Sequence, residues 1–431
     1  MKHVVIVGGG FAGLKAAKIL GSSKSDVKVT VIDKTNHHLF QPLLYQVATA
    51  GLSQSDISVP IRSILSSFKN ISVLKGTALG VDFESKNLLT DFGNVSFDYL
   101  ILACGVQHSY YNNPEWEPIA PGLKTLEQAS EIRRRILTAF EEAEKEKDKV
   151  KQKKLLTFVI VGGGPTGVEL AGAIGEMTRY TLGKDFRNID PKLTRIILLE
   201  AGPRILSMFA ASQSSRATRD LESLGVQVWT SSPVTSMDGE SITVGNERIE
   251  TATVLWAAGI TATELNKTMG VELNNQGRII VSKDLSIKNH PNVFVAGDQA
   301  CFFDANNEPL PPLSPVAIKQ GESIAKNILS EIEGEPRKPF TYIHMGTMAT
   351  IGRSRAIADF GFFRVNGLIA WLLWLFIHIY FIAGFNNRFF IFLKWCISYV
   401  TNKKGARIIL KDSWRFYDDN DDNETRRSKQ P

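Results

Sequence analysis

At 431 residues the chain is too long for one compact core, so two or three domains with properly buried interiors are expected. A charged fraction of 22% and a hydrophobic fraction of 43% exclude a disordered or fibrous polymer. The net charge of +6 is concentrated near the C-terminus. No Asp or Glu occurs between Phe360 and Lys411, while Arg364, Arg388, Lys394, Lys403, Lys404, Arg407 and Lys411 lie there among aromatic and aliphatic residues. That mixture is too apolar for a phosphate-tracking surface, so no nucleic-acid partner is expected.

In chain order, Met1-Lys2-His3 enters an apolar strand at Val4 to Val7 with no room for a leader, and a cytoplasmic chain is the simplest reading. Gly-Gly-Gly-Phe-Ala-Gly and a helical pattern through Leu20 follow, then a buried strand at Val27 to Ile32. After a helix-poor stretch, strands are expected near Ile71 to Leu74 and Tyr99 to Ala103. The charge run Glu141 to Lys154 reads as a solvated helix face. From Phe158 the same grammar restarts: a strand to Val161, Gly-Gly-Gly-Pro-Thr-Gly, a helix through Met177, an extra loop over Tyr180 to Leu193 and a strand from Arg195 to Glu200. Val293 to Ala296 is a further strand, ending in Gly297-Asp298. Tyr417 to Pro431 is polar and expected to be disordered.

The repeated unit carries the chemistry. Gly8, Gly10 and Gly13 supply a tight turn, a backbone close enough to touch pyrophosphate oxygens, and close helix packing, with the phosphates at the positive helix end. Asp33 closes the next strand twenty residues after Gly13, placed to accept from an adenosine ribose. Gly162, Gly164 and Gly167 repeat this geometry, with Glu200 ending the following strand. A carboxylate there repels a 2′-phosphate and favours NADH over NADPH, a preference that nearby Arg204 moderates. One such turn alone also serves ordinary strand-to-helix connections; two in strand–turn–helix context bind two dinucleotides.

The order of a first glycine turn, an inserted second unit and a returning Val-Phe-Val-Ala-Gly-Asp resembles the two-dinucleotide-binding-domain flavoprotein reductases. Within them, the stretch His38 to Leu52, the run Gly162 to Ile174 and Met348-Ala-Thr-Ile-Gly-Arg353 resemble the type II NADH dehydrogenases, over residues 1 to 415. The resemblance implies an α/β fold with two Rossmann-like domains. An FAD domain would be discontinuous (1–120 and 286–345) and an NADH domain inserted (121–285), with an anchoring helical region at 346–416 and a tail at 417–431. It implies FAD as cofactor, NADH as co-substrate and a quinone as acceptor, with Gly297 and Asp298 on the FAD ribityl chain and Gly259 also at a cofactor. By similarity Glu169 would lie near nicotinamide and flavin; the plainer reading is a carboxylate stabilised at a helix N-terminus. Pro42 and Gln46 resemble residues lining the flavin pocket. The family commonly shows an Ala-Gln pair with a second glutamine downstream. Here the run is Ser314-Pro-Val-Ala-Ile-Lys-Gln320, so Pro315 replaces the first glutamine and Lys319 and Gln320 remain as candidates for a quinone oxygen. Lys319 otherwise reads as a solvent-facing helix lysine.

Leu368 to Phe385 is apolar apart from His378, and its 18 residues fall at the lower edge of a spanning length of roughly 20. With Trp371, Trp374, Tyr380 and the aromatic, basic stretch Arg388 to Val400, the pattern suits helices lying in a lipid interface. Buried core or dimer helices are the alternative. The resemblance implies a monotopic anchor on the cytoplasmic face of the cell inner membrane, and a homodimer. Competing functions are a sulfide:quinone oxidoreductase, which needs paired cysteines at the flavin, and a slow FAD- and NADH-binding redox sensor. A disulfide reductase is disfavoured because no cysteine precedes Cys104. The three cysteines, Cys104, Cys301 and Cys396, have neither C-x-x-C nor metal-ligand spacing.

Overall fold

The computed structural model describes residues 1–183, 185–382, 385–401 and 405–409. The expected disordered tail from Tyr417 onward lies outside the described residues.

Two parallel sheets organise the chain, as the repeated strand–turn–helix grammar requires. The first has the spatial order Ser286–Ile287, His290–Val295, Tyr99–Leu102, Lys2–Val7, Val27–Asp33 and Ile71–Lys75. All neighbours run parallel except the antiparallel edge pair of Ser286–Ile287 with His290–Val295. Val4 and Ile6 pack with the helices Phe11–Ser22 and Ser314–Ile332, and Val5 packs on the other face with Leu88 and Phe97 from the segment of the small antiparallel sheet, so all three are fully buried and this strand reads as an unbroken apolar run. The strand from beyond residue 289 pairs with Tyr99–Leu102, so chain from both ends of the sequence completes one sheet.

The second sheet orders Val226–Trp229, Arg195–Leu199, Thr157–Val161 and Thr253–Trp256, all parallel. A ribbon of Val106–His108 antiparallel to Ile260–Ala262 joins the two units. A third, antiparallel sheet of Thr347–Gly352, Arg355–Asp359 and Arg364–Asn366 follows late in the chain. It packs on the helix Pro165–Glu176, and Gly172 makes this contact possible: a Cβ there would collide with the Ile351 carbonyl oxygen. One apolar cluster then runs from Phe40 and Leu44 through Ile174 to Ile351, Trp374 and Ile391.

Three expectations change. The apolar run Leu368 to Phe385 is not one helix: a helix ends at Phe381, Ile382 is extended, and a second helix covers Phe385–Thr401. Arg388 Nε donates to the Ile382 carbonyl at 2.8 Å, capping the break. Among the described residues no helix is long and apolar enough to cross a membrane. The charge run splits as well, into the end of the helix Leu126–Lys145 and a new helix Lys149–Leu155 capped by Asp148, whose carboxylate accepts from the Val150 amide at 2.8 Å. The helix-poor stretch holds short helical turns at Gln41–Leu43, Leu44–Ala48, Gln54–Asp56 and Ile61–Leu65, too brief to show a 3.6-residue period.

Candidate functional site

The two glycine turns are built alike, atom for atom. Gly8 has φ +105° and Gly162 φ +108°, conformations that side chains rarely adopt. A Cβ on Gly13 would strike the Gly8 carbonyl oxygen, and one on Gly167 the Gly162 carbonyl oxygen, so each helix can close on its strand only without a side chain. Gly10 and Gly164, by contrast, have nothing within 4 Å of a would-be Cβ. Those are the two places where the backbone lies open to an approaching phosphate. The helices that follow, Phe11–Ser22 and Pro165–Glu176, have no side-chain cap and no acid in the first turn, so their N-terminal amides are free for an anion.

Asp33 and Glu200 perform matching tasks. Asp33 Oδ2 accepts from the Gly9 amide at 2.6 Å, and Glu200 Oε2 from the Gly163 amide at 2.6 Å. The second oxygens bond to Thr35 and Gly202 at 2.7 Å. Each carboxylate thus locks its own glycine turn and keeps lone pairs for a ribose. Arg204 is committed elsewhere, donating at 2.7 Å to the carbonyls of Phe209 and Ser207, which removes it as a 2′-phosphate ligand. Gly259 sits on the loop after Thr253–Trp256 with φ +72°, where a Cβ would meet the Tyr111 ring.

Opposite the first turn, Gly297 (φ +73°) and Asp298 form a tight turn against the helix Ser314–Ile332. Pro315 occupies the first turn of that helix, where a missing amide costs nothing. Gln320 is 1% exposed, and its Oε1 accepts from the Gly297 amide at 2.7 Å. It therefore holds the Gly297-Asp298 turn. Lys319 is on another face: its side chain is 50% exposed and reaches Glu322 at 3.3 Å. Neighbours on a helix point about 100° apart, so the two expected quinone ligands cannot share one target. Burial raises the Asp298 carboxyl above its ordinary value, with Lys124 and Arg278 opposing the shift. The open Gly10 backbone, the free helix end and the two carboxylates Asp33 and Asp298 fit an FAD.

A cavity of about 150 Å³ lies between distant segments; Gln46 and Glu169, expected near the flavin, line it together with residues that sequence reading did not single out. Tyr45 and Gln46 line it from the turn after Pro42, Glu169 from the second glycine helix, Thr350 from the third sheet, and Trp374 and Trp395 from the two C-terminal helices. Pro42 itself lies in the adjacent turn Gln41–Leu43. Gln46 Nε2 donates to the Tyr45 hydroxyl at 3.0 Å and its Oε1 accepts from Trp395 Nε1 at 2.8 Å. Glu169 has one long hydrogen bond, from the Thr350 amide at 3.4 Å, and burial pushes its carboxyl up to about 8. It is therefore largely protonated at neutral pH. Burial, then the charge of Glu169, pushes the Tyr45 phenol well above its ordinary range.

Residues 2–321 match the family model for pyridine nucleotide-disulphide oxidoreductases, and residues 344–403 that for the NDH2 C-terminal domain. The type II NADH:quinone oxidoreductase Ndh of Mycobacterium tuberculosis is 40% identical over 96% of this chain and 91% of its own length. The chain belongs to the type II NADH:quinone oxidoreductases. NdhA of the same organism, of the same description, is 42% identical over 94% of this chain and 89% of its own length. The structure of NDH2 from Plasmodium falciparum in complex with NADH superposes with a TM-score of 0.86, covering 95% of this chain and 100% of that one at 18% identity. A sulfide:quinone oxidoreductase from Aquifex aeolicus shares the fold at a TM-score of 0.72 and 18% identity, over 88% of this chain and 90% of its own length. Fold alone therefore does not choose the electron donor.

The cysteines argue for this family over its sulfide-oxidising neighbour. Burial, followed by the charge of Asp33, pushes the Cys104 thiol up to about 12, and burial also raises Cys301. Neither is a ready thiolate at neutral pH, and all three cysteines are free thiols.

Proposed function

We propose that this chain oxidises NADH through bound FAD and passes the electrons to a quinone taken from a membrane surface, without pumping protons. Gly8, Gly10, Gly13, Asp33, Gly297 and Asp298 hold the FAD, with Pro42 and Gln46 at its flavin end. Gly162, Gly164, Gly167, Glu200 and Gly259 hold the NADH. Bound FAD supplies the two-electron exchange. The chain supplies orientation through the two helix ends, and Glu169 keeps a proton on its carboxyl beside the cavity, available to a quinone oxygen as electrons arrive. Gln320 positions the Gly297-Asp298 turn. The observation that carries the reading is the cavity itself, where the flavin-side turn, the NADH-unit helix and the C-terminal helices converge on a protonated carboxyl.

The test is NADH oxidation by purified, FAD-loaded protein with a short-chain quinone, compared with NADPH and with Glu200→Gln. The wild-type chain is expected to use NADH at least tenfold better than NADPH by kcat/KM. Glu200→Gln, which removes the charge that repels a 2′-phosphate, should narrow that ratio by about tenfold. Equal use of both donors by the wild-type chain would defeat the assignment of Glu200.

The lipid surface is formed by Ile369, Leu372, Phe376 and Tyr380 of one C-terminal helix and Phe389, Phe390 and Leu393 of the other, all exposed. Arg364 and Lys394 flank them, with Lys394 also paired to Asp56 at 2.6 Å. This is a monotopic arrangement on the cytoplasmic face of the inner membrane. A second copy of the chain is the competing use of the same face, and a homodimer would cover part of it. Phe376→Glu combined with Phe390→Glu removes apolar area without touching the core. We expect it to move the protein into the soluble fraction after a low-salt wash, with FAD retained. Retention on membranes together with a change from dimer to monomer in light scattering would assign the face to self-association instead.

A further inference from the structure

Lys124 is a charged group beside the FAD cradle that neither glycine turn explains. It precedes the helix Leu126–Lys145, whose Thr125 and Gln128 form a reciprocal capping box, and its amide donates to Gln128 Oε1 at 2.8 Å. Its carbonyl accepts from Gln41 Nε2 at 3.4 Å, which ties Lys124 to the turn carrying Pro42. The Lys124 charge also acts on Asp298, opposing together with Arg278 the rise that burial imposes on its carboxyl, and the Asp298 charge acts on Lys124 in turn. Yet the ammonium makes no hydrogen bond or ion pair among the described residues, and neither does the Asp298 carboxylate. Two opposite charges withdrawn from water but left unpaired are costly unless a third group completes the site. Burial first, and then the Lys124 charge, pushes the nearby His108 imidazole down to about 4, so His108 is neutral and the positive charges acting on Asp298 are those of Lys124 and of Arg278, whose guanidinium is committed to the carbonyls of Asp298, Ala300 and Leu310.

We propose that the Lys124 ammonium is the fixed cation that sets the reduction potential of the bound flavin. This rests on the FAD assignment above but not on the identity of the electron acceptor. Transfer of two electrons and one proton from NADH, which leaves as NAD⁺, adds one net negative charge to the cradle. A cation held there beforehand, in a medium of low dielectric, stabilises that charge without reorganisation. Reduction is thereby favoured, and the site remains electrically matched in the oxidised state through Asp298.

The experiment is a spectroscopic redox titration of FAD-loaded protein against a reference dye, with neither NADH nor quinone present. It compares the wild type with Lys124→Met, Lys124→Gln and Lys124→Arg. Met and Gln should shift the reduced-to-oxidised ratio at a fixed potential about tenfold toward the oxidised form, equal to about 30 mV for a two-electron couple. Arg, which keeps the charge, should stay within about threefold of the wild type. A neutral variant that keeps FAD and titrates with the wild type overturns the proposal, as does an Arg variant displaced as far as Met. If Met and Gln shed FAD, the dissociation constants of oxidised and chemically reduced FAD answer the same question. A loss about tenfold greater for the reduced form supports the role, and an equal loss overturns it. A wild-type chain with no visible flavin band would instead defeat the FAD assignment itself.

Discussion

Replacing Glu169 by Gln is expected to cut quinone-dependent NADH oxidation by about a hundredfold or more while making the folded chain more stable at neutral pH. General acid catalysis by a positioned side chain is worth roughly 10²–10⁴ in rate, and an amide cannot supply it. The stability gain follows from the carboxyl being held near 8 by burial, far above its ordinary value of 4.5. A group whose folded pKa is raised contributes stability that is complete below the unfolded value and is lost as pH climbs through the folded one. Between pH 4.5 and 7 the unfolded chain ionises Glu169 and the folded chain does not, a cost of up to about 3 kcal/mol at 1.36 kcal/mol per unit. Gln escapes it and preserves the shape. Urea midpoints of both proteins from pH 5 to 8 should therefore diverge as pH rises, with the wild type falling relative to the variant. Its quinone reduction should also decline above about pH 8, where the proton leaves. Parallel midpoints across that range would show that the carboxyl is not held neutral, and full turnover by the variant would remove it from the proton path.

The glycine turns were legible in the sequence because their demands are local. A positive φ, a helix closing on its strand and an open backbone each require a missing side chain, and a carboxylate at the end of the next strand recurs, at Asp33 and, beyond an extra loop, at Glu200. The cavity was legible only in part: resemblance pointed to Gln46 and Glu169, but Tyr45, Thr350 and Trp374 join them from segments that only the packed core brings together, and nothing in their spacing announces it. Lys124 sits in an unremarkable Leu-Lys-Thr, and its charge acquires meaning only once Asp298 is folded against it. Resemblance to the family's glutamine motif put both Lys319 and Gln320 forward for a quinone oxygen, but one residue along a helix turns the side chain onto a different face: Gln320 bonds the Gly297 amide and Lys319 is half exposed. The break after Phe381 was hidden for a related reason, since an apolar run records what a segment avoids and not where its helix stops.

Gly172→Val should be among the most damaging single substitutions in the chain, although a helical glycine inside Ala-Gly-Ala-Ile-Gly reads as ordinary. The Ile351 carbonyl of the third sheet lies where a Cβ would go, and the obstacle is backbone, not the flexible end of a side chain. To accept Val, the strand Thr347–Gly352 must lift from the helix Pro165–Glu176, and with it the Thr350 amide that bonds Glu169. The amide of Arg353 also donates to the Glu176 carboxylate of the same helix, so a second tie is strained by the same displacement. Overpacking of this kind costs roughly 1–3 kcal/mol where side chains can yield, and more where backbone must move. We therefore expect a thermal midpoint lowered by several degrees and the loss of most quinone-dependent turnover. FAD should be retained, because the first glycine turn and its sheet lie elsewhere. Gly172→Ala tests the same contact with the smallest possible addition and should fall between Val and the wild type. The two faces of this joint are the helix of the second glycine turn and the sheet that leads into the C-terminal helices. A Val variant that unfolds at the wild-type temperature and still reduces quinone would mean that the contact does not couple the C-terminal segment to the Glu169 cavity.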